Sequence, residues 1–360
     1  MAHWRKDCIS IFLTDSCNLH CKYCYCKETA QHIEIENYNI DFYKVGIRDF
    51  YTSHGYIYLR FFANGEPTLQ IDIIKQLVEY SKFLTNNVKF ELQTNGIFNK
   101  KTSKWISENI DIVWISCDGM PEIQNYYRPT LSGQPSSKIV ENNIKFLADK
   151  IKYLGVRITI GQKNIFTQKK LIDYFDSLNV KYLYSDLLFL PINVKEKDFF
   201  EKKIPPITYA KEYFKAYKYA QKKDIFYGSY FIINFDEETN ISCRACNPSP
   251  HLTIDGYVTA CDMSYRKDVL SDLVYGKYDN KKKKIIYDYK KIEKIKSRIV
   301  DNMEECSMCE IKYFCAGGCL GESLNELNNL FKPKKNNCEA IKFLAKKFKP
   351  PIKKLPIFHP

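Results

Sequence analysis

Residues 17–26 read CNLHCKYCYC and place four cysteines in ten residues. Three chemistries use cysteine this densely: a disulfide framework, a tetrahedral zinc site and an iron–sulfur centre. Cys17, Cys21 and Cys24 are separated by three and then two residues. The segment just before them, CISIFL (8–13), is almost wholly apolar and reads as a strand. The cysteines therefore occupy the loop at that strand's C-terminal end, where parallel strand–helix folds build ligand sites. A zinc site needs a fourth ligand, which His20 or Cys26 could supply. A four-iron centre held by three thiolates leaves one iron open to a second molecule. Spacing alone admits both.

The surrounding 360 residues bound the choice. Apolar residues make up 45 % of the chain, enough for a sizeable core in one large or two ordinary domains. No run approaches 18 uncharged apolar residues, so no membrane span is expected. The opening MAHWRKDCISIF lacks the apolar stretch and small-residue cleavage site of a signal peptide, which implies a cytoplasmic location. In that compartment the 14 cysteines read as metal ligands or thiols rather than disulfides. The net charge of +13 gathers in late runs, KYDNKKKKIIYDYKKIEKIK and FKPPIKKLPIFHP. Such runs fit either solvated helix faces or attraction to an acidic partner, such as a peptide or protein. No nucleic-acid-binding module shows in the sequence.

Strand-like segments recur: 8–13, 56–62, 88–93, 111–116, 155–160 and 181–190. Helical patterns fall between them at 38–54, 71–84, 101–110, 137–152 and 167–179. In the second of these, Ile73, Ile74, Leu77, Val78, Ser81 and Leu84 line one face at helical spacing. Strand–helix alternation implies parallel strands joined by right-handed crossovers, and six units suit an open or partial barrel. Residues 191–235 read as a helical or mixed bridge. From about 236 the segments shorten and charge and cysteine rise, so a second domain is expected over 236–345, with a basic tail at 346–360.

Three further stretches stand at the ends of successive strand units: NGEPTL (64–69), LQTNG (92–96) and SCDGMPEIQNYYRP (116–129). Together with the cysteine spacing and Tyr23 before the last cysteine, they resemble the motifs of the radical S-adenosylmethionine (SAM) superfamily. That resemblance implies a partial (β/α)6 barrel and a four-iron, four-sulfur cluster on Cys17, Cys21 and Cys24, whose open iron is chelated by SAM. It places the SAM amine beside Gly65, Glu66 and Pro67, and the SAM carboxylate near Ser116 and Arg128, a guanidinium suited to that anion. Tyr23 would lie against the adenine, with Thr94 and Asp118 as further neighbours. Asn64 stands where the family usually has glycine. It tolerates positive φ, so the turn is expected to persist.

The C-terminal cysteines run CRAC (243–246), GYVTAC (256–261), CSMCEIKYFCAGGC (306–319) and Cys338. Paired Cys-x-x-Cys units also bind zinc. In this order, however, they resemble the SPASM extension of radical SAM enzymes, which carries two auxiliary four-iron clusters. The resemblance assigns Cys243, Cys246, Cys261 and Cys319 to the first and Cys306, Cys309, Cys315 and Cys338 to the second, making three clusters in all. Of the remaining cysteines, Cys8 and Cys117 read as buried thiols, and Cys26 as a residue of the substrate pocket.

SPASM members mostly modify peptides or proteins: they form formylglycine, thioether or carbon–carbon crosslinks, or oxidise side chains of ribosomal peptides. Asp262 directly follows Cys261, as in sulfatase maturases, where that aspartate is the suggested base. The expectation is an enzyme acting on a peptide or protein, supplied with electrons by a flavodoxin or ferredoxin. A dehydrogenase of a small alcohol or amino sugar is the alternative within the class. A non-catalytic iron–sulfur electron carrier is the alternative outside it, but a carrier has no need of the SAM motifs. No leader-binding segment precedes the first strand, which suits a protein or leader-independent peptide.

Overall fold

The computed structural model describes residues 7–24, 39–62, 64–192 and 194–353. Its N-terminal half alternates strand and helix: β1 (Ile9–Phe12), α1 (Ile40–His54), β2 (Ile57–Phe62), α2 (Ile71–Leu84), β3 (Val88–Thr94), α3 (Lys100–Asn109) and β4 (Ile112–Ser116). Then follow α4 (Pro121–Tyr127), α5 (Ser137–Ala148), β5 (Tyr153–Ile160), α6 (Gln168–Ser177) and β6 (Tyr182–Leu187). Each strand pairs in parallel with the next, in the order β1 to β6. Helix boundaries follow side-chain capping. Asn39 accepts a hydrogen bond from the Phe42 N–H at the start of α1, and Gly55 (φ +72°) closes its end with its N–H on Tyr51 O. Asn99 caps α3 in the same way through the Thr102 N–H.

The expected strands and helices are all present within a few residues. The strand expected over 181–190 ends at Leu187, because Leu187, Leu188 and Phe189 line the wall of an internal cavity. The bridge resolves into α7 (Pro206–Gln221) and a short strand β7 (Phe226–Gly228), parallel to β6.

Beyond the bridge, β8 (His251–Leu252), β9 (Tyr257–Thr259), β10 (Val274–Asp279) and β11 (Lys284–Tyr287) form an antiparallel run. It does not stand apart from the barrel. β8 pairs in parallel with β1, Ser10 opposite His251 and Ile11 opposite Leu252, so one 11-stranded sheet runs from β11 to β7. Four helices complete the chain: α8 (Tyr289–Lys296), α9 (Lys312–Cys315), α10 (Leu320–Leu327) and α11 (Lys335–Phe348). Phe348 of α11 packs edge-on against Phe214 and Tyr217 of α7. The sheet and this contact fix the cysteine-rich segment against the open side of the barrel. No helix among the described residues is long and apolar enough to cross a membrane.

Candidate active site

The first cysteine loop is held by backbone and side chains from three strand ends. His20 N–H donates to Pro129 O at 2.8 Å and Lys22 N–H to Tyr127 O at 2.9 Å. Asn95 Nδ2 donates to Asn18 Oδ1 at 2.7 Å and reaches Cys17 Sγ at 3.5 Å. The 64–66 turn lies directly against the same loop: Gly65 N–H donates to Thr14 O and Glu66 N–H to Ser16 O. A Cβ on Gly65 would fall 2.0 Å from Ser16 O, so close backbone approach is what requires glycine there. The turn persists with Asn64 in place of glycine, and Asn64 Nδ2 anchors it by donating to Asp15 Oδ1 at 3.1 Å.

Glu66 is turned inward. Its carboxylate accepts from Thr68 N–H (3.0 Å), Thr68 Oγ1 (2.6 Å), Thr94 Oγ1 (2.6 Å) and Asn95 N–H (2.7 Å). Burial pushes its carboxyl above the usual range, and these four donors oppose that shift. Glu66 and Thr94 thus spend their side chains welding the ends of β2 and β3 together. Pro67 starts the short 3-10 turn Pro67–Gln70, which Glu66 caps. The carbonyls of the 64–67 turn are what this arrangement leaves for an ammonium group.

Tyr23, Asp118 and Arg128 converge. Asp118 Oδ2 accepts from Tyr23 OH at 2.5 Å and from Arg128 Nε at 3.1 Å, and Oδ1 accepts from Thr159 N–H. The Arg128 guanidinium lies 5.2 Å from the Tyr23 ring centroid and 3.8 Å from Cys21 Sγ. Burial raises the Cys17 thiol to about 11 and the Cys21 thiol to about 12, with Arg128 pulling the latter down. The charge of Cys24 also raises the Cys17 thiol, and the charges of Cys24 and Cys17 raise the Cys21 thiol. Three thiols that would repel one another as anions, next to a buried cation, suit a metal cluster that takes them as thiolates.

The other eight cysteines, all reduced, fall into two sets by the charges they feel. Cys243 senses Cys246, Cys319 and Cys261, whereas Cys315 senses Cys338, Cys306 and Cys309. Two further features fit an anionic group at the first quartet. The Tyr230 hydroxyl is buried without a hydrogen-bond partner and feels Cys319 and Cys243. The Arg298 guanidinium, 1 % exposed, approaches Cys246 Sγ at 3.9 Å.

Both ends of the site open on one cavity of about 370 Å³. Ser116 and Gln93 line it from the barrel, and Cys243, Cys261, Cys319 and Asp262 from the cysteine-rich side. Asp262 is not an isolated loop carboxylate. Arg60 NH1 and NH2 donate to it at 3.3 and 3.2 Å, and His251 Nε2 lies 2.8 Å from Oδ1. Burial alone would raise its carboxyl, but Arg60 and then His251 hold it well below the usual carboxylate range. His251 Nδ1 faces Ser249 O at 2.9 Å, so both ring nitrogens face oxygen atoms. Arg60, buried in β2, is shared with Glu91 at 3.3 Å. Sequence reasoning missed Arg60, His251, Tyr230 and Arg298. An arginine inside the apolar YIYLRFF was the one visible signal, since a buried charge needs a partner. Cys8 and Cys117 are buried, as expected; Cys26 lies outside the described residues.

Comparison with known proteins shows what this chain is similar to. Residues 11–175 match the radical SAM superfamily. An uncharacterized protein of Methanocaldococcus jannaschii is 30 % identical over 182 residues, 49 % of this chain and 60 % of the relative. The cysteine-type anaerobic sulfatase-maturating enzyme of Clostridium perfringens is 24 % identical over 326 residues, 85 % of this chain and 86 % of that enzyme. The match to the Clostridium novyi enzyme of the same name spans half the length of each chain. Among solved structures, anSMEcpe with bound AdoMet shares the fold at a TM-score of 0.76 and 19 % identity, covering 94 % of this chain and 92 % of the other. Streptococcus suis SuiB bound to its precursor peptide SuiA does so at 0.65 and 14 %, over 92 % and 75 %. anSMEcpe also has structures with AdoMet and a peptide bound together. The chain is thus similar to the radical SAM superfamily over residues 11–175 and shares its fold with anSMEcpe and SuiB over more than nine-tenths of its length.

Proposed function

We propose that this protein oxidatively modifies a residue of a peptide or protein substrate, in ribosomal-peptide maturation or formylglycine-type maturation. The observation that carries the reading is the single cavity joining Ser116 to Asp262 and to Cys243, Cys261 and Cys319. Cys17, Cys21 and Cys24 would hold the radical cluster, and the two C-terminal quartets the auxiliary ones. When bound, the radical cluster supplies reductive cleavage of SAM to a hydrogen-abstracting 5′-deoxyadenosyl radical.

The protein's own residues do the rest. The 64–67 turn and the Tyr23–Asp118–Arg128 constellation orient SAM, while Glu66 keeps the turn in place. The cavity's volume falls at the lower end of the about 300–1,000 Å³ range of ligand cavities, room for a side chain and its flanking backbone. Its lining cations Arg60, Arg157, Lys203, Arg244 and Lys334 outnumber the carboxylates Asp186, Asp262 and Glu322, which favours an acidic peptide segment. Asp262 accepts the substrate proton and shares it with His251, and Arg60 fixes the carboxylate's position. A flavodoxin or ferredoxin would supply electrons. Relatives that act on or bind peptides support the peptide class.

The test uses the reconstituted protein, SAM, a reductant and a library of short peptides differing in acidic content. Peptide-dependent 5′-deoxyadenosine, with a matching mass change in acidic members, supports the reading. Turnover of small alcohols or amino sugars in place of every peptide would overturn it.

A further inference from the structure

Arg298 follows α8 and is a cation without a carboxylate. Its Nε donates to Leu330 O at 3.1 Å and its NH1 to Ser242 Oγ at 3.0 Å and Ala316 O at 3.1 Å. Its NH2 donates to Gly317 O and Gly318 O, both at 2.9 Å. Hydrogen bonding is thus satisfied, but charge is not. No carboxylate among the described residues ion-pairs with it, and the groups able to carry negative charge beside it are Cys246, Tyr230, Cys243 and Cys319. A buried cation calls for a counter-charge, and a centre held by the neighbouring cysteines as thiolates would supply it.

The loop that Arg298 grips explains why the sequence there reads CAGGC. Ala316, Gly317 and Gly318 all take left-handed φ (+49°, +77°, +71°), turning three successive carbonyls onto the guanidinium. A Cβ on Gly317 would meet Met303 Sδ at 2.2 Å. The loop's two ends are Cys315 and Cys319, which belong to different quartets. Arg298 therefore sits at the junction of the two, and its direct sulfur contact is to Cys246 of the first.

We propose that Arg298 is the counter-charge of the first auxiliary centre and makes it the better electron acceptor of the two. This rests on the auxiliary-cluster reading above. Accepting one electron makes such a centre one unit more negative, and a fixed neighbouring cation favours that form. The balance is complete. The substrate's hydrogen atom leaves to the 5′-deoxyadenosyl radical. A centre held by these thiols would take one electron from the substrate, and the Asp262–His251 pair would take the accompanying proton. A carrier of the ferredoxin or flavodoxin class removes the electron afterwards. Arg298 touches neither substrate nor SAM and acts as a positioning residue.

The test uses the full chain with Cys17, Cys21 and Cys24 replaced by Ala, so that only the auxiliary centres remain. Arg298→Lys keeps the charge, and Arg298→Gln keeps donors without it. Each is reconstituted anaerobically, assayed for iron and titrated for reduction potential by electron paramagnetic resonance. Arg298→Gln should lower one of the two potentials by a tenfold or larger change in the one-electron equilibrium, about 59 mV. The other should move far less, and Arg298→Lys should stay near the parent. Loss of one centre's iron in the Gln variant alone would also support a counter-charge. Unchanged potentials at full iron in Arg298→Gln would overturn the proposal, as would equal iron loss in both variants, the mark of a loop scaffold. A parent holding no iron would instead remove the cluster reading beneath it.

Discussion

The barrel and the cysteine-rich segment solve the same problem, holding thiols in place, by opposite means. In the barrel the cysteine loop rests on a parallel ladder and on buried hydrogen bonds. Glu66 alone gathers four donors from its own turn and from the end of β3. The C-terminal quartets rest on much less regular structure: β8 has two residues, β9 three and α9 four. Arg298 and the thiols do there what strands do in the barrel. The difference predicts that the barrel forms before any metal arrives, whereas the cysteine-rich segment takes more of its order from what its thiols bind. Each prediction below presses on one side of that contrast.

The largest effect should come from the first loop. Replacing Cys17, Cys21 and Cys24 together by Ala should abolish reductive SAM cleavage while leaving the helical circular-dichroism signal intact, since the barrel does not lean on those ligands. 5′-Deoxyadenosine at the wild-type rate in this variant would show the initiation site to be elsewhere.

Next comes Asp262. Asp262→Asn removes the charge that Arg60 and His251 grip, and product should fall by roughly 100-fold while SAM cleavage continues. The check is the ratio of product to 5′-deoxyadenosine, in deuterated buffer so that a quenched substrate radical is marked. A wild-type ratio would make the Arg60–Asp262–His251 group a purely structural ion pair. The sign of its stability contribution is also fixed. A depressed carboxyl pKa stabilises the fold above the unfolded value of about 3.9 and loses that stabilisation as pH falls through the folded one. Removing Asp262 should therefore leave acid unfolding less steep while neutral-pH behaviour keeps the largest difference from wild type.

Gly65→Ala should cost stability of about 1–3 kcal/mol, the usual scale of overpacking, because the new Cβ would strike Ser16 O. Urea unfolding measures it, and a loss within a few tenths of a kcal/mol would mean that the loop yields more easily than its hydrogen bonds suggest. The smallest change expected in the barrel is on metal removal. Chelation should open sites to protease within 236–353 first and leave the barrel's strands protected; simultaneous cleavage in both regions would erase the contrast.

The same contrast governs what could be read from the chain. Periods of two and 3.6 residues marked β1 to β6 and their helices, because long elements repeat enough to be seen. The strand β7 spans three residues and β8 two, too short for a period, and β8 is seated between β1 and β9. Motif spacing named the cysteines and the Tyr23–Asp118–Arg128 group. It could not show that Glu66 and Thr94 face each other, since that depends on the register of β2 against β3. Nor could it pair Arg60 with Asp262 across 202 residues, or bring Arg298 to Cys246 across 52. Charge partners that meet only through tertiary structure leave no local trace.

The central claim is that a single chain holds a SAM-cleaving centre and two further clusters, with one cavity running from Ser116 to the first quartet. Iron and 5′-deoxyadenosine measured on the same anaerobically reconstituted, reduced protein test it most directly. The expected result is about 12 iron atoms per chain together with SAM cleavage. About four iron atoms with stoichiometric zinc, or full iron with no cleavage, would contradict it.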